Sequence, residues 1–441
     1  MKRSIVLIVT LCSLTAATFA GGLMTNTNYH IAFDRMMARG ATFDIDAAYS
    51  NPAGMVWGHE GFQLSLNFQK PWQFRNIEVN GTKYEGKASA PIVPALFASY
   101  KHNRWALSTM IGIVGSGGYV EYKQGVPMFN MLMAGLLANN GITPDKYTLN
   151  SEMKGKQYIY GGQLNFSYKL SDHFAAAVGL RANYYDGYYR GHVRAEDHPQ
   201  LGELAKLLLD VDQKGWGFTP LVSLNYHQGP FTLTARYEFR TKISTENSTN
   251  VLDAGLGTNL INAMIAQDPA AAQAKMAALS GQLAGYTAPY ADGATTRYDM
   301  RALLSVAAGY EFSDKVRATL EYHFFDDKNA KMAGDRQKEL TRGTHEILAG
   351  VEYDINDKFT VSCGGQRTDY GLSDGYQQNT SFACDSYSIG LGGAWNITEK
   401  LRLNAGYFIS LYSDYEKPTS YGTETYSRTN NVVGVGFDYK F

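Results

Sequence analysis

The chain has 441 residues, and its 40 basic against 41 acidic residues leave a formal net charge of −1. That balance excludes a partner recognised by bulk charge, nucleic acid included. Only 18% of residues are charged, whereas 31 Tyr, 21 Phe and 45 Gly make the composition aromatic and glycine-rich. The length would allow two or three domains, yet no linker-like shift in composition divides it, so one large domain is expected.

Lys2 and Arg3 precede an apolar run from Ile5 to Leu14, and small residues lead to Thr18-Phe19-Ala20. This is the pattern of a secretory signal peptide over 1–20, cut after Ala20. Cys12 lacks the preceding small residue of a lipoprotein site. Beyond the signal no apolar run approaches the roughly 20 residues of a membrane-spanning helix, which excludes an α-helical membrane protein. Residues 21–59 follow without a clear helical or strand period. They contain "AAYSNPAGM" (47–55), and Ile31, Phe33, Met36, Phe43, Ile45 and Met55 make a solvated arm a poor reading. Asn51 can bond the backbone of neighbouring turns, and Pro52 fixes its own φ.

From Phe62 the chain alternates. Phe62, Leu64, Leu66 and Phe68 share one face and Gln63, Ser65, Asn67 and Gln69 the other, and the same pattern returns at Thr232 to Phe239, Leu320 to Phe324 and Leu401 to Leu411. A soluble sandwich and a transmembrane barrel both produce it. A third strand, Trp105 to Tyr122, carries Gly112, Gly115, Gly117 and Gly118, which mark bulges or the close approach of another backbone. After it, a proline-led run from Val126 to Gly141 has helical spacing, with Met128, Phe129, Met131, Leu132, Leu136 and Leu137 as its apolar face. Such a face packs either on the rest of the protein or on an apolar ligand, for which Met supplies an adaptable surface. A weaker helical pattern runs from Asp253 to Leu283.

Turns select the architecture. "YKLSDHF" (168–174), "YEFSDKV" (310–316), "YDINDKF" (353–359) and "WNITEKL" (395–401) share one form, and "YKHNRW" (100–105) and "YHQGPF" (226–231) are looser versions, giving six short aromatic-flanked turns. Seven longer polar segments lie between them, near 73–90, 119–155, 190–212, 245–295, 327–341, 370–381 and 414–427. Their alternation requires fourteen strands with both ends on the short-turn side, the plan of a bacterial outer-membrane barrel with an aromatic interfacial belt. The expected fold is therefore all-β: residues 60–441 form a 14-stranded antiparallel transmembrane β-barrel, with 21–59 in its lumen and short helices on extracellular loops. The terminal "VVGVGFDYKF", with Phe437, Tyr439 and Phe441 in alternation, resembles the strand signal read by the barrel assembly machinery.

Few residues invite chemistry. The nine histidines have no zinc spacing and no serine sits in a nucleophile elbow, so no enzyme, metal or cofactor is expected. Asp326-Asp327 reads as a solvated rim pair. Arg181, Arg236, Arg301 and Arg317 lie in strands and could face the lumen, each as well suited to neutralise a lumenal acid as to meet a ligand carboxylate. Cys363 and Cys384 flank the loop near Asp374. An exported hairpin permits a disulfide there, but alternation puts the two on opposite faces, so a bridge requires a bulge.

With "GGLMTN" at the mature N-terminus and "RGATFDIDA" before it, the segment centred on Asn51-Pro52-Ala53 resembles the N-terminal hatch of the FadL-type outer-membrane transporters of long-chain fatty acids and other hydrophobic compounds. The architectural resemblance spans nearly the whole mature chain, and the motif-level likeness is confined to the hatch. It implies a monomer in the Gram-negative outer membrane, in contact with its lipid and lipopolysaccharide. Hydrophobic ligand such as a long-chain fatty acid would be captured among loop helices, and Gly21, Gly22 and Leu23 would lie near a ligand pocket inside the barrel. Hatch movement would then release ligand sideways through the kink at Gly112, Gly115, Gly117 and Gly118. The competing expectation is a diffusion porin for polar solutes, which lacks a plug.

Overall fold

The structure, a computed structural model, describes Leu23 and residues 28–441; the signal-peptide segment 1–20 and the glycines Gly21 and Gly22 lie outside the described residues. Fourteen strands form one closed antiparallel sheet, four of them interrupted. In chain order they are β1 (Gly61–Val79), β2 (Thr82–Ser89 and Val93–His102), β3 (Trp105–Tyr122), β4 (Thr148–Lys169), β5 (Phe174–Glu196), β6 (Ala205–Gln228) and β7 (Phe231–Glu238 and Ser244–Leu256). Then come β8 (Thr295–Arg297 and Leu303–Ser313), β9 (Val316–Phe325), β10 (Thr344–Asp354), β11 (Phe359–Asp369), β12 (Ser386–Asn396), β13 (Leu401–Tyr412 and Tyr415–Thr419) and β14 (Gly422–Lys440). The first and last strands close the ring, pairing from Gln63 with Lys440 to Val79 with Glu424. Closure satisfies every edge, the condition for strands to stand in lipid.

The burial pattern is inverted relative to a water-soluble protein. On β1, Phe62, Leu66 and Phe68 are exposed while Gln63, Ser65, Asn67 and Gln69 are buried; on β6, Trp216, Phe218, Val222 and Leu224 are exposed while Thr219, Ser223 and Asn225 are buried. An apolar outside and a polar inside over a whole sheet is what hydrocarbon solvent selects. The six short turns fall where expected, and around that rim Tyr100, Tyr168, Tyr226, Tyr310, Tyr353, Trp395 and Phe441 face outward. No helix among the described residues is long and apolar enough to cross a membrane.

At the opposite rim, three of the seven segments expected as loops are largely strand. In 73–90, 190–212 and 414–427 the hairpins continue, the first to a turn at Asn80-Gly81 where both residues have positive φ. About ten residues cross the bilayer, and beyond it both faces of a strand meet water, so polarity there no longer distinguishes strand from loop. Two of the other four carry α-helices: α3 (Pro127–Ala138) follows β3, and α4 (Thr258–Gln267) with α5 (Pro269–Thr287) follows β7. Pro127 begins α3, and Gly141, at φ +78°, lies just past its end.

Among the described residues both cysteines, Cys363 and Cys384, are free, so the possible disulfide between them is not formed. Pairing of β11 with β12 runs without a register shift, so the bulge that a bridge would require is missing. Cys363 stays on the outer face, while Cys384 is buried inside and donates to the Tyr426 carbonyl at 3.6 Å.

Candidate functional site

The segment before β1 fills the lumen. It folds as α1 (Ile31–Met36), α2 (Ala47–Ser50) and a 3-10 helix (Pro52–Trp57), all but one of whose residues are buried. His30 caps α1 by accepting from the Ala32 amide at 3.0 Å. Its other ring nitrogen lies 2.9 Å from Asp438 and 3.2 Å from Ser65. Serine and aspartate thus converge on one nitrogen rather than flanking the ring, which makes the cluster an anchor of α1 to β1 and β14 and not a proton relay.

Beneath α1 the wall is paved with glycine: Gly350, Gly364 and Gly390 are successive partners across β10 to β12, and Gly392, Gly406 and Gly434 across β12 to β14. A Cβ at Gly364 would stand 1.7 Å from the Met36 carbonyl oxygen, and one at Gly390 2.4 Å from that of Asp34. Only a wall without side chains admits the helix so closely.

Charge holds the same region. Glu352 of β10 pairs with Arg35, with Arg39 at 3.3 Å and with Arg317 at 3.0 Å, while Arg39 also reaches Asp46 at 2.8 Å. The Asn51-Pro52-Ala53 motif is tied down atom by atom. Asn51 accepts from the Gly54 amide at 3.1 Å and from Asn225 at 3.2 Å, and donates to the Thr42 carbonyl at 3.0 Å. Ser167 donates to the Pro52 carbonyl at 2.7 Å, and the Ala53 amide to Ser223 at 3.4 Å. A Cβ on Gly54 would fall 2.2 Å from the Asn51 amide nitrogen, so the capped turn needs glycine there.

The four arginines expected near the lumen are all committed to acids. Arg181 and Arg236 pair with Glu238, Arg301 with Asp327 at 2.9 Å, and Arg317 with Glu352 and Asp354. Asp327 is therefore not a solvated rim residue: it is fully buried and also accepts the Thr344 amide at 2.7 Å. Its neighbour Asp326 accepts from Asn329.

Two cavities border the N-terminal segment inside the barrel, and a separate groove opens among the long loops. An extracellular groove of about 770 Å³ has a mostly apolar lining to which α3 contributes Met128, Phe129, Met131 and Leu132. Leu136 and Leu137 turn away from it into a cluster with Val193, Leu204 and Leu260, securing the helix on the barrel mouth. Lys417 brings a cation to the groove rim, donating to the Gln377 carbonyl at 2.7 Å; burial lowers its pKa, with Glu424 opposing. Inside the barrel, one cavity of about 160 Å³ lies beside β1 and β14 and another of about 90 Å³ beside β4 and β5. Leu23 is buried and lines both.

The larger lumenal cavity ends at a break in the wall. β2 and β3 pair from His102–Trp105 to Leu96–Ile111 and again from Ala88–Val120 to Gly86–Tyr122, leaving 89–95 and 112–119 unpaired with each other. Two causes meet there. β3 carries two extra residues against β4, between Ile113 and Gly115 and between Ser116 and Gly118, with Gly118 at φ +71°. β2 is interrupted at 90–92, where Pro91 and, three residues on, Pro94 have no amide to donate. Ala90, Val93, Ile113 and Gly118 line the cavity at this break, and Tyr29, at φ +59°, packs against the first three from inside. At the far seam Phe437 and Tyr439 face outward on β14, and the Phe441 ring lies 5.0 Å from that of Phe62.

The family model for the outer membrane protein beta-barrel domain matches residues 256–441. No curated protein matches the sequence. Among solved structures, a Pseudomonas aeruginosa FadL homologue is similar over 96% of this chain and 100% of its own, at 14% identity and a TM-score of 0.66. The Pseudomonas putida toluene transporter TodX is similar over 96% and 100%, at 12% identity and TM-score 0.59. The Ralstonia pickettii toluene transporter TbuX is similar over 94% and 98%, at 14% identity and TM-score 0.57. With its lipid-facing apolar girdle and filled lumen, this chain is a multi-pass outer-membrane β-barrel protein of the FadL-type fold.

Proposed function

We propose that the protein takes up hydrophobic small molecules, long-chain fatty acids among them, passively across the outer membrane and releases them sideways into the bilayer. Ligand settles first in the extracellular groove, where Met128, Phe129, Met131 and Leu132 offer an apolar surface in contact with water. It then passes to the lumenal cavity and leaves between β2 and β3. The break of pairing at 89–95 and 112–119, directly in front of that cavity, carries this reading. A molecule that prefers lipid gains nothing by crossing water, so a lateral path suits it better than an axial one. The N-terminal segment closes the axial route and acts as a hatch whose Asn51-Pro52-Ala53 turn sets its conformation, with Gly21, Gly22 and Leu23 beside the ligand. The aromatic row Phe437, Tyr439 and Phe441 serves as the assembly signal. Crossing is downhill and needs no cofactor.

Deleting Val114 and Gly117 removes both extra residues of β3 and restores an unbroken register with β4. Cells carrying this variant should take up labelled oleate at least about tenfold more slowly than wild type, with the barrel still resistant to unfolding in cold detergent. Undiminished uptake by the folded variant would refute lateral release.

A further inference from the structure

We propose that an anionic membrane lipid sits on the outside of the barrel at the wall break, its phosphate held by Lys70 and Asn431 and its acyl chain lying across the mouth of the gap. Side chains alternate along β1, so Gln69 and Pro71 line the lumenal cavity while Phe68, Lys70 and Trp72 are exposed to the bilayer. Lys70 lies eight residues along β1 from the rim residue Phe62. At the rise and tilt of a barrel strand this places it about 20 Å from that rim, inside an apolar band about 25 Å tall. Trp72 and Phe74 continue the apolar face beyond it. A cation on the lipid face destabilises a barrel to a degree set by its depth, so a lysine kept there points to a partner that answers its charge. The protein supplies none: among the described residues Lys70 makes no ion pair, whereas Lys87, Lys101, Lys154 and Lys156 each do. Nor can the remaining residues supply the acid, because 1–27 contain no Asp or Glu.

The strands on either side of Lys70 give a headgroup a second donor and a tail a place to lie. Across the closing seam Lys70 is the partner of Val433, and Val433 of Tyr407; one outward pair further on, Trp72 is the partner of Asn431. The Tyr407 hydroxyl donates to the Asn431 side-chain oxygen at 2.8 Å. That bond occupies the oxygen and fixes the amide, whose N–H groups bond nothing among the described residues. An ammonium and an amide N–H₂ thus stand in neighbouring places on a face otherwise built of Phe68, Trp72, Val433 and Val435, donors without an acceptor. On the other side of β1 the wall is missing. β1 pairs with β2 as far as Gln69–Val93 and resumes at Trp72–Ser89, so Lys70 and Pro71 stand opposite the interruption at 90–92. Ile92, 60% exposed, forms the lip of that gap on the lipid side. Lysine binds phosphate as a compact point charge, and its long stem reaches from hydrocarbon toward the headgroup plane. A lipid phosphate satisfies both donors, and its chain then covers Ile92 and the gap. The site opens to the bilayer and not to the lumen, which suits a resident of the membrane.

The site goes beyond the uptake reading and stands whatever the barrel carries. Ile92→Cys in a Cys363→Ser background is labelled with bimane and reconstituted into vesicles of phosphatidylcholine and phosphatidylglycerol, with one lipid or the other brominated in its acyl chains. Brominated phosphatidylglycerol should quench the label about fivefold more per molecule than brominated phosphatidylcholine, whose phosphate is neutralised by its own cation. Unbrominated lipid A, which is doubly phosphorylated, should relieve that quenching. Lys70→Gln should bring the two lipids to parity, Asn431→Leu should reduce the preference, and Lys70→Arg should keep it. Lys83→Gln, on the same hairpin but beyond the bilayer and opposite Glu78, should change nothing. Retention of the barrel's gel mobility in cold detergent controls for folding. Equal quenching by the two lipids at the otherwise unaltered site overturns the proposal, as does an undiminished preference in folded Lys70→Gln. Relief by inorganic phosphate as complete as that by lipid A would reveal an adventitious ion only and overturn it too. Self-association that Lys70→Gln abolishes would assign the lysine to a second copy and likewise overturn it. Each of these outcomes leaves the uptake reading standing.

Discussion

Replacing Asn51 with alanine should loosen the hatch and leave the barrel folded. Asn51 is fully buried, and its side chain serves three partners: the Gly54 amide, the Thr42 carbonyl and Asn225. Loss of the cap costs about 1 kcal/mol. The Thr42 carbonyl and the Asn225 amide are each left unsatisfied in a buried place, at about 1 to 3 kcal/mol apiece. Taking the low end, about 3 kcal/mol is removed from the seated hatch, which multiplies the unseated population roughly a hundredfold. The strand ladder does not involve this side chain, so the wall should be indifferent. Single-channel recording in a planar bilayer measures the effect as the frequency of brief openings through the lumen, with circular dichroism and cold-detergent gel mobility reporting the barrel. An unchanged opening frequency in a folded variant would refute the reasoning, and so would failure of the barrel to assemble, because the motif would then be part of folding rather than of the latch.

Gly364→Val should prevent α1 from seating, since even a Cβ falls 1.7 Å from the Met36 carbonyl; protease should then cut within 28–59 in a folded barrel that wild type protects, and an equally resistant hatch would count against the close contact. Glu352→Leu leaves Arg35 with no acid, although Arg39 keeps Asp46 and Arg317 keeps Asp354. Stranding one buried charge costs about 3 to 5 kcal/mol, so the thermal midpoint should fall by several degrees, and an unaltered midpoint would refute the network's role. The folded protein should show one thiol, Cys363, to a lipid-soluble maleimide and hide Cys384, with two reacting after denaturation; equal gel mobility with and without reductant would agree with free cysteines, and a shift would contradict them.

Much of the barrel was legible because its physics is local. One residue in two meets lipid, so Phe62, Leu66 and Phe68 announce a strand, and "YDINDKF" announces the turn that follows one. Helix α3 could be read from its proline start, its apolar spacing and Gly141. Extended hairpins such as Thr82–Ser89 were not, because past the bilayer the strand is held by backbone hydrogen bonds that leave no hydrophobic trace. The site was the least legible part. Parity alone turns Lys70 outward, since Phe68 and Trp72 face out, but its place beside Asn431 and Tyr407 arises from closure of a ring between the two ends of the chain, and no window of sequence contains it. Arg181, Arg236, Arg301 and Arg317 illustrate the converse: each is visible as a lumenal cation, and its acid is supplied by the fold.

The row of glycines from β10 to β14 makes the interior lopsided. On that side a helix touches bare backbone, and a seat without side chains has no alternative rotamers through which it could yield. If the N-terminal segment moves to clear a passage, as proposed, the stretch around Tyr29 and the turn after Asn51 are where it would give, with α1 held against the glycine wall as the pivot.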